Sequence, residues 1–233
     1  MIDRRRRVSF DPNHFAHRIA RGHTLSTEER FRHAYETNLW AGPESPSGPG
    51  ASHSQTAKIR RALPQLCDLL GVKTLLDLPC GDCHWMAGVS LPGVRYIGAD
   101  LLPEVISANA AAHRSSNRTF MVLDLTRSAL PNADLLLVRD CLVHLSFADA
   151  RRAVENVKRS NIRYLLATTF TAEPDNRDVP TGDWRPLNLQ RAPFGFPEPE
   201  QLINEDCTEQ DGLFADKALG LWEVASLRWK GNK

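Results

Sequence analysis

Five short runs, at residues 74–78, 94–99, 119–123, 134–138 and 163–168, are almost entirely apolar, and segments with helical patterning lie between several of them, at 85–89, 103–113 and 147–160. A strand with one wetted face alternates polar and apolar residues. A continuous apolar run leaves no face for water, so these segments pair as parallel strands with helices covering both sides of the sheet. This α/β pattern constrains the chain more than any other feature. It also places the candidate chemistry at the carboxyl ends of the strands, where open parallel sheets bind ligands.

The flanks follow other rules. Residues 1–25 show no sustained periodicity and include the basic run Arg4 to Arg7, which reads as a solvated, flexible tail. Ser26 stands three residues before Glu29, the spacing of a capping box, so a helix is predicted from there to Trp40. Residues 41–51 are too rich in Pro and Gly for a regular element and suit either a linker or a lid over a ligand. A second helix over 54–70 puts Ile59, Leu63, Leu66 and Leu70 on one face, and Gly71 stops it. At the far end, 219–229 reads as an alternating strand, with a hairpin partner around 213–215. The loop at 170–199 is longer than ordinary connections and is expected to be functional or disordered. The predicted organisation is a tail over 1–25 and one domain over 26–233. Within that domain, 26–53 supply a helix and lid, and 170–200 a substrate loop.

Composition excludes several function classes. With 29 Lys and Arg against 28 Asp and Glu, the net charge of +1 gives no electrostatic footprint for nucleic acid or an anionic membrane. No apolar stretch is long enough to span a bilayer or to serve as a secretory signal. The 5 cysteines are odd in number and scattered, which fits reduced thiols and a cytoplasmic setting. Cys80 and Cys83 form a C-x-x-C with no second cysteine pair to complete a zinc site, and are read as incidental to their loop.

At the first strand-to-helix junction stands Asp77-Leu-Pro-Cys-Gly-Asp-Cys83. A tight turn at this place lets backbone approach a ligand, and Gly81 offers that approach without a Cβ. The segment resembles motif I of the class I methyltransferases that use S-adenosylmethionine (SAM). Asp77 stands at the acidic position and Gly81 at the middle glycine, while Pro79 and Cys83 replace the outer glycines. Asp100 ends the second run and can accept the two hydroxyls of a ribose, and Asp124 follows the third. The resemblance covers about residues 38–229. It implies a Rossmann-like fold with a seven-stranded, mostly parallel sheet and a C-terminal antiparallel hairpin. It further implies that Asp124 meets the adenine amino group, that Trp40 and Ser47 fold over the cofactor, and that Pro79, Leu101, Leu125 and Arg139 line its site.

Arg139-Asp-Cys-Leu-Val-His-Leu145 follows the fourth run, whose end faces the transferred methyl group in that family. An aliphatic hydroxyl becomes a good nucleophile only as its proton leaves, and an imidazole is a suitable base. His144 is therefore the candidate base. Asp140 either orients it or holds a divalent cation. The segment does not resemble the Asn/Asp-Pro-Pro-Tyr signature of methyltransferases that act on exocyclic amino groups, so oxygen is the expected target. In the long loop, Trp184 can stack on a flat face while Arg185 and Asn188 offer directed hydrogen bonds to an acceptor. Asp140, Asp175 and Asn176 are oxygen ligands suited to Mg²⁺. His144 and this loop resemble bacterial sugar O-methyltransferases such as those of methylmannose polysaccharide biosynthesis.

The reading is a SAM-dependent O-methyltransferase for a sugar, oligosaccharide or other small acceptor, with a homodimer left open. An NAD-dependent oxidoreductase is the alternative, but it requires a Gly-x-Gly-x-x-Gly turn that Pro79 to Cys83 does not provide. A methyltransferase for a non-sugar natural product and a non-catalytic SAM sensor are further alternatives.

Overall fold

The computed structural model describes residues 11–230; the Arg4 to Arg7 run lies outside them. Seven strands form one sheet: β1 (Thr74–Asp77), β2 (Arg95–Asp100), β3 (Arg118–Val122), β4 (Leu135–Val138), β5 (Tyr164–Phe170), β6 (Gln201–Asn204) and β7 (Lys217–Glu223), in the order β3-β2-β1-β4-β5-β7-β6. β1 to β5 are mutually parallel. β7 runs against both β5 and β6. This is the mostly parallel seven-stranded sheet that the resemblance implies. A strand opposed to its neighbours inside the last three also departs from the all-parallel 3-2-1-4-5-6 order of dinucleotide-binding dehydrogenases.

Successive residues of a strand face opposite sides, and the apolar runs fill both. Leu76 and Leu136 join one core with Ala150, Ala153, Val154 and Val157 of α5 (Phe147–Arg159). Leu75, Leu135 and Leu137 join the other with Ile59, Leu63 and Leu66 of α3 (Ala57–Leu69). Helix α4 (Pro103–His113) begins on a proline, whose missing N–H costs nothing in a first turn. The capping box is formed: the Ser26 hydroxyl accepts from the Glu29 amide at 3.2 Å and the Glu29 carboxylate from the Ser26 amide at 2.7 Å. The helix it opens, α2 (Thr27–Thr37), stops three residues short of the predicted Trp40, at the left-handed Asn38. The segment predicted as a short helix at 85–89 is a single 3₁₀ turn, Met86–Gly88.

Two expectations about the flanks are corrected. The stretch read as a tail carries a helix, α1 (His14–Ala20), whose Phe15 is 1% exposed. Its N-terminus is capped from far away, by the Asp183 carboxylate accepting from the Phe15 and Ala16 amides at 2.7 and 2.9 Å. A helix of 7 residues offers too few turns for periodicity to register. The hairpin partner of the last strand is β6 rather than 213–215, and β7 begins earlier than predicted, at Lys217. β6 is 4 residues long at the sheet edge with two of them exposed, a pattern no different from a loop.

Candidate active site

Because β1 to β4 are parallel, their carboxyl ends open on one edge. Asp77 and Asp100 are the last residues of β1 and β2, while Asp124 and Asp140 follow β3 and β4. Over this edge lies a cleft of about 1160 Å³, counted to its open mouth. It is lined by every residue expected to hold the cofactor: Trp40, Ser47, Asp77, Pro79, Gly81, Asp100, Leu101, Asp124, Leu125 and Arg139. Helix α2 walls it with Thr27, Phe31 and Tyr35, which sequence reasoning missed because they read only as one face of a surface helix.

The turn after β1 is built for close approach. Gly81 has φ +52°, and a Cβ there would lie 2.4 Å from the Ser47 hydroxyl oxygen. Its amide donates to Asp100 at 3.2 Å and the Leu102 amide donates to the same carboxylate at 3.0 Å, which fixes the tip of β2. Asp77 accepts from the Tyr96 hydroxyl at 2.7 Å. Burial pushes Asp77 up to about 7 and Asp100 up to about 6, the hydrogen bonds only partly opposing it. Desolvation therefore holds back the ionisation of both carboxyls at the floor of the cleft. Asp124 is pinned at the rim by the Thr126 amide at 2.8 Å and by Arg127 at 2.8 Å. The two thiols of the C-x-x-C motif are unpaired and buried, and burial raises both. Cys83 packs against the Tyr96 hydroxyl at 3.8 Å.

A second cleft of about 1030 Å³ on the same measure adjoins the first. The two share Trp40, Ser47, Asp140 and His144. Its walls are aromatic, Trp40, Phe170, Trp184 and Phe214, and its polar residues include Lys217 and Glu209. Trp184 packs edge-on against Phe214 and Phe170, with ring centroids at 5.1 and 6.1 Å. His144 is buried against the Trp40 ring at 4.6 Å, and its Nδ1 hydrogen-bonds the Asp183 carbonyl oxygen at 3.2 Å. That acceptor places the proton on Nδ1 and leaves the Nε2 lone pair free of it. Desolvation lowers His144 to about 4, against the opposing pull of Asp140.

Asp140 does not orient the imidazole. It sits in the left-handed region at φ +51°, takes its amide bond to the Thr168 hydroxyl at 2.8 Å, and turns its carboxylate to Lys217 at 2.8 Å and Arg139 at 3.2 Å. The ammonium of Lys217 and then the guanidinium of Arg139 hold it far below the usual carboxylate range, against desolvation. Arg139 in turn holds Glu205 at 2.7 Å and donates to the Gly50 carbonyl at 2.8 Å, so it ties the 41–51 loop to the sheet as well as lining the cleft. Lys217, Glu205 and Glu209 had no motif to reveal them: they come from the C-terminal strands and the loop between, far along the chain from Asp140.

The expected Mg²⁺ does not fit. Asp140 already faces two cations. The Asn176 side-chain oxygen, the atom a Mg²⁺ would need, accepts from the Asn188 amide at 2.8 Å, its amide nitrogen donates to the Asn188 and Ala192 carbonyls, and Asp175 is exposed on the loop. Arg185 and Asn188 are likewise corrected as acceptor ligands. Arg185 is fully buried and donates to the Leu142, Leu145 and Arg177 carbonyls; Asn188 donates to those of Thr171 and Glu173. A long loop packed on a core must satisfy its carbonyls, and these side chains do that work. Trp184 alone of the three lines a cleft.

No protein-family model matches the chain, and no curated protein sequence matches it. Among solved structures it is similar to PigF with SAH, at TM-score 0.60 and 13% identity over 88% of this chain and 64% of that one. It is also similar to an O-methyltransferase family protein from Burkholderia thailandensis, at TM-score 0.54 and 15% identity over 89% of this chain and 64% of that one. The chain thus spans under two thirds of the length of either. No helix among the described residues is long and apolar enough to cross a membrane. Strand order, the antiparallel β7 and these two likenesses together show that the chain has the Rossmann-like fold of the class I methyltransferases.

Proposed function

We propose that the chain is a SAM-dependent O-methyltransferase that methylates a hydroxyl of a small acceptor, a sugar or oligosaccharide of the mannoside kind. The observation that carries this reading is the meeting of two clefts at His144. One is lined by carboxylates at three strand ends, and the other is walled by aromatic rings. Asp100 would hold the ribose hydroxyls, Asp124 the adenine amino group, and Asp77 the cationic end of the cofactor. When bound, SAM supplies an electrophilic methyl group. The aromatic faces of Trp40 and Trp184 suit the C–H face of a sugar, with Lys217 and Glu209 as hydrogen-bond partners.

His144 takes the hydroxyl proton on Nε2 while its Nδ1–H stays on the Asp183 carbonyl. An imidazole lowered to about 4 is neutral at pH 7 and a modest base. It suffices because a hydroxyl turns strongly acidic as its oxygen bonds to a methyl carbon, so the proton moves late. Holding the reacting atoms in line supplies most of the remaining rate.

Isotopic methyl transfer from labelled SAM to a panel of mannosides and phenols tests the reading. Phenols enter because three of the aromatic side chains, Phe170, Trp184 and Phe214, form a continuous apolar wall that also suits a flat natural-product ring. His144→Ala is expected to lower kcat by about a hundredfold or more with SAM affinity unchanged, and added Mg²⁺ to leave turnover as it was. Full turnover in that variant removes the histidine from the reaction.

A further inference from the structure

Residues 41–56, between α2 and α3, include the 41–51 loop that the proposed function takes as a lid, and they rest on the turn after β1. Ser47 packs on Gly81 and its hydroxyl donates to Asp82 at 3.4 Å. Just outside this contact, Glu44 and His53 of this segment meet His84 of the turn. The His84 Nε2 lies 3.0 Å from a Glu44 carboxylate oxygen, the same oxygen accepts from the His53 amide at 2.9 Å, and the two imidazoles pack with centroids 4.5 Å apart. One ligand atom from each of the three side chains lies within 4.8 Å of the others.

We propose that Glu44, His53 and His84 bind one divalent transition-metal ion, with Zn²⁺ the best match, and that the ion staples the lid to the turn after β1. Two imidazoles and one carboxylate form the mixed nitrogen and oxygen set that zinc takes, whereas Mg²⁺ and Ca²⁺ prefer oxygen alone. Metal bonds of about 2.0–2.1 Å bring paired ligand atoms within roughly 4 Å of each other. Glu44 and His53 are exposed and His84 half-buried, so side-chain rotation can close the remaining gap. The hydrogen bond from the His53 amide already holds Glu44 in place, as an outer partner does for a metal ligand. Three protein ligands leave a fourth position to water. The ion has no part in the transfer chemistry: it would join two chain segments, one of which covers the cofactor cleft and the other of which forms its floor.

This placement predicts slower exchange of whatever occupies the cleft, a consequence that rests on the SAM reading; the metal site itself does not. The test uses the full chain, stripped with a chelator and then titrated with Zn²⁺ by equilibrium dialysis. The expected result is one equivalent of zinc more for the parent than for His53→Ala or Glu44→Gln, both exposed substitutions whose folding is checked by thermal melts. Equal zinc counts in parent and variants would overturn the site. Release of prebound S-adenosylhomocysteine is then timed with and without zinc: at least a tenfold slowing in the parent and none in the variants supports the staple, and an unchanged rate in the parent overturns it. If the chain binds neither SAM nor its product, the methyltransferase reading fails while the zinc count still decides the metal site.

Discussion

Asp77 sits in the wall of the first cleft at 2% exposure, hydrogen-bonded by the Tyr96 hydroxyl and raised to about 7 by burial. A carboxyl whose folded pKa lies above its unfolded value binds its proton more readily in the folded chain. Its contribution to stability is therefore full at low pH and is lost as pH rises between the model-compound 3.8 and about 7. Asp77→Asn keeps an oxygen for the Tyr96 hydroxyl and carries no charge. The variant is expected to match the parent at pH 3, to pull ahead as the pH rises through 5, and to exceed it above pH 7 by up to about 4 kcal/mol, in denaturant unfolding followed from pH 3 to 8. An unchanged difference across that range would mean that Asp77 is not desolvated. In the proposed reading, a cationic group bound beside Asp77 would favour its ionised form.

At the scale of elements, the segment around Asp183 joins α1 and α2 to His144. Its carboxylate caps α1, its carbonyl holds His144, and the Thr181 carbonyl accepts from Arg30 of α2 at 2.9 Å. Asp183→Ala is expected to cost about 1–2 kcal/mol through the lost cap. Hydrogen exchange should then accelerate in α1 while the amides of β1 and β4 keep their protection. The cluster of Arg139, Asp140, Glu205 and Lys217 is a second such joint, connecting β4, β7 and the 41–51 loop. Lys217→Met leaves the buried Glu205 and the half-buried Asp140 short of a cation and is expected to destabilise by about 3–5 kcal/mol, measured by chemical unfolding. These joints explain what the sequence did not disclose. An apolar run declares a buried strand wherever it occurs, and an acid at its end declares a binding edge, so Asp77, Asp100 and Asp124 were legible. Arg185, Asn188 and Asn176 look like ligands because they carry strong polar groups in a loop. Only the folded path of that loop reveals that backbone carbonyls take them.

For the whole molecule, the parallel order of β1 to β4 gathers four acids from distant parts of the chain onto one edge, and α2 with the lid encloses the space above them. The terminal β5-β7-β6 unit adds the aromatic wall and Lys217, so two clefts meet at His144; in the proposed reading one takes the cofactor and the other the acceptor. The most direct test of this arrangement is calorimetric titration of the chain and its Asp100→Ala variant with SAM, and with NAD as the control. The account predicts saturable SAM binding, weakened about tenfold or more in the variant through loss of charged hydrogen bonds, and no binding of NAD. SAM binding that is absent, or equally tight without the Asp100 carboxylate, would contradict it.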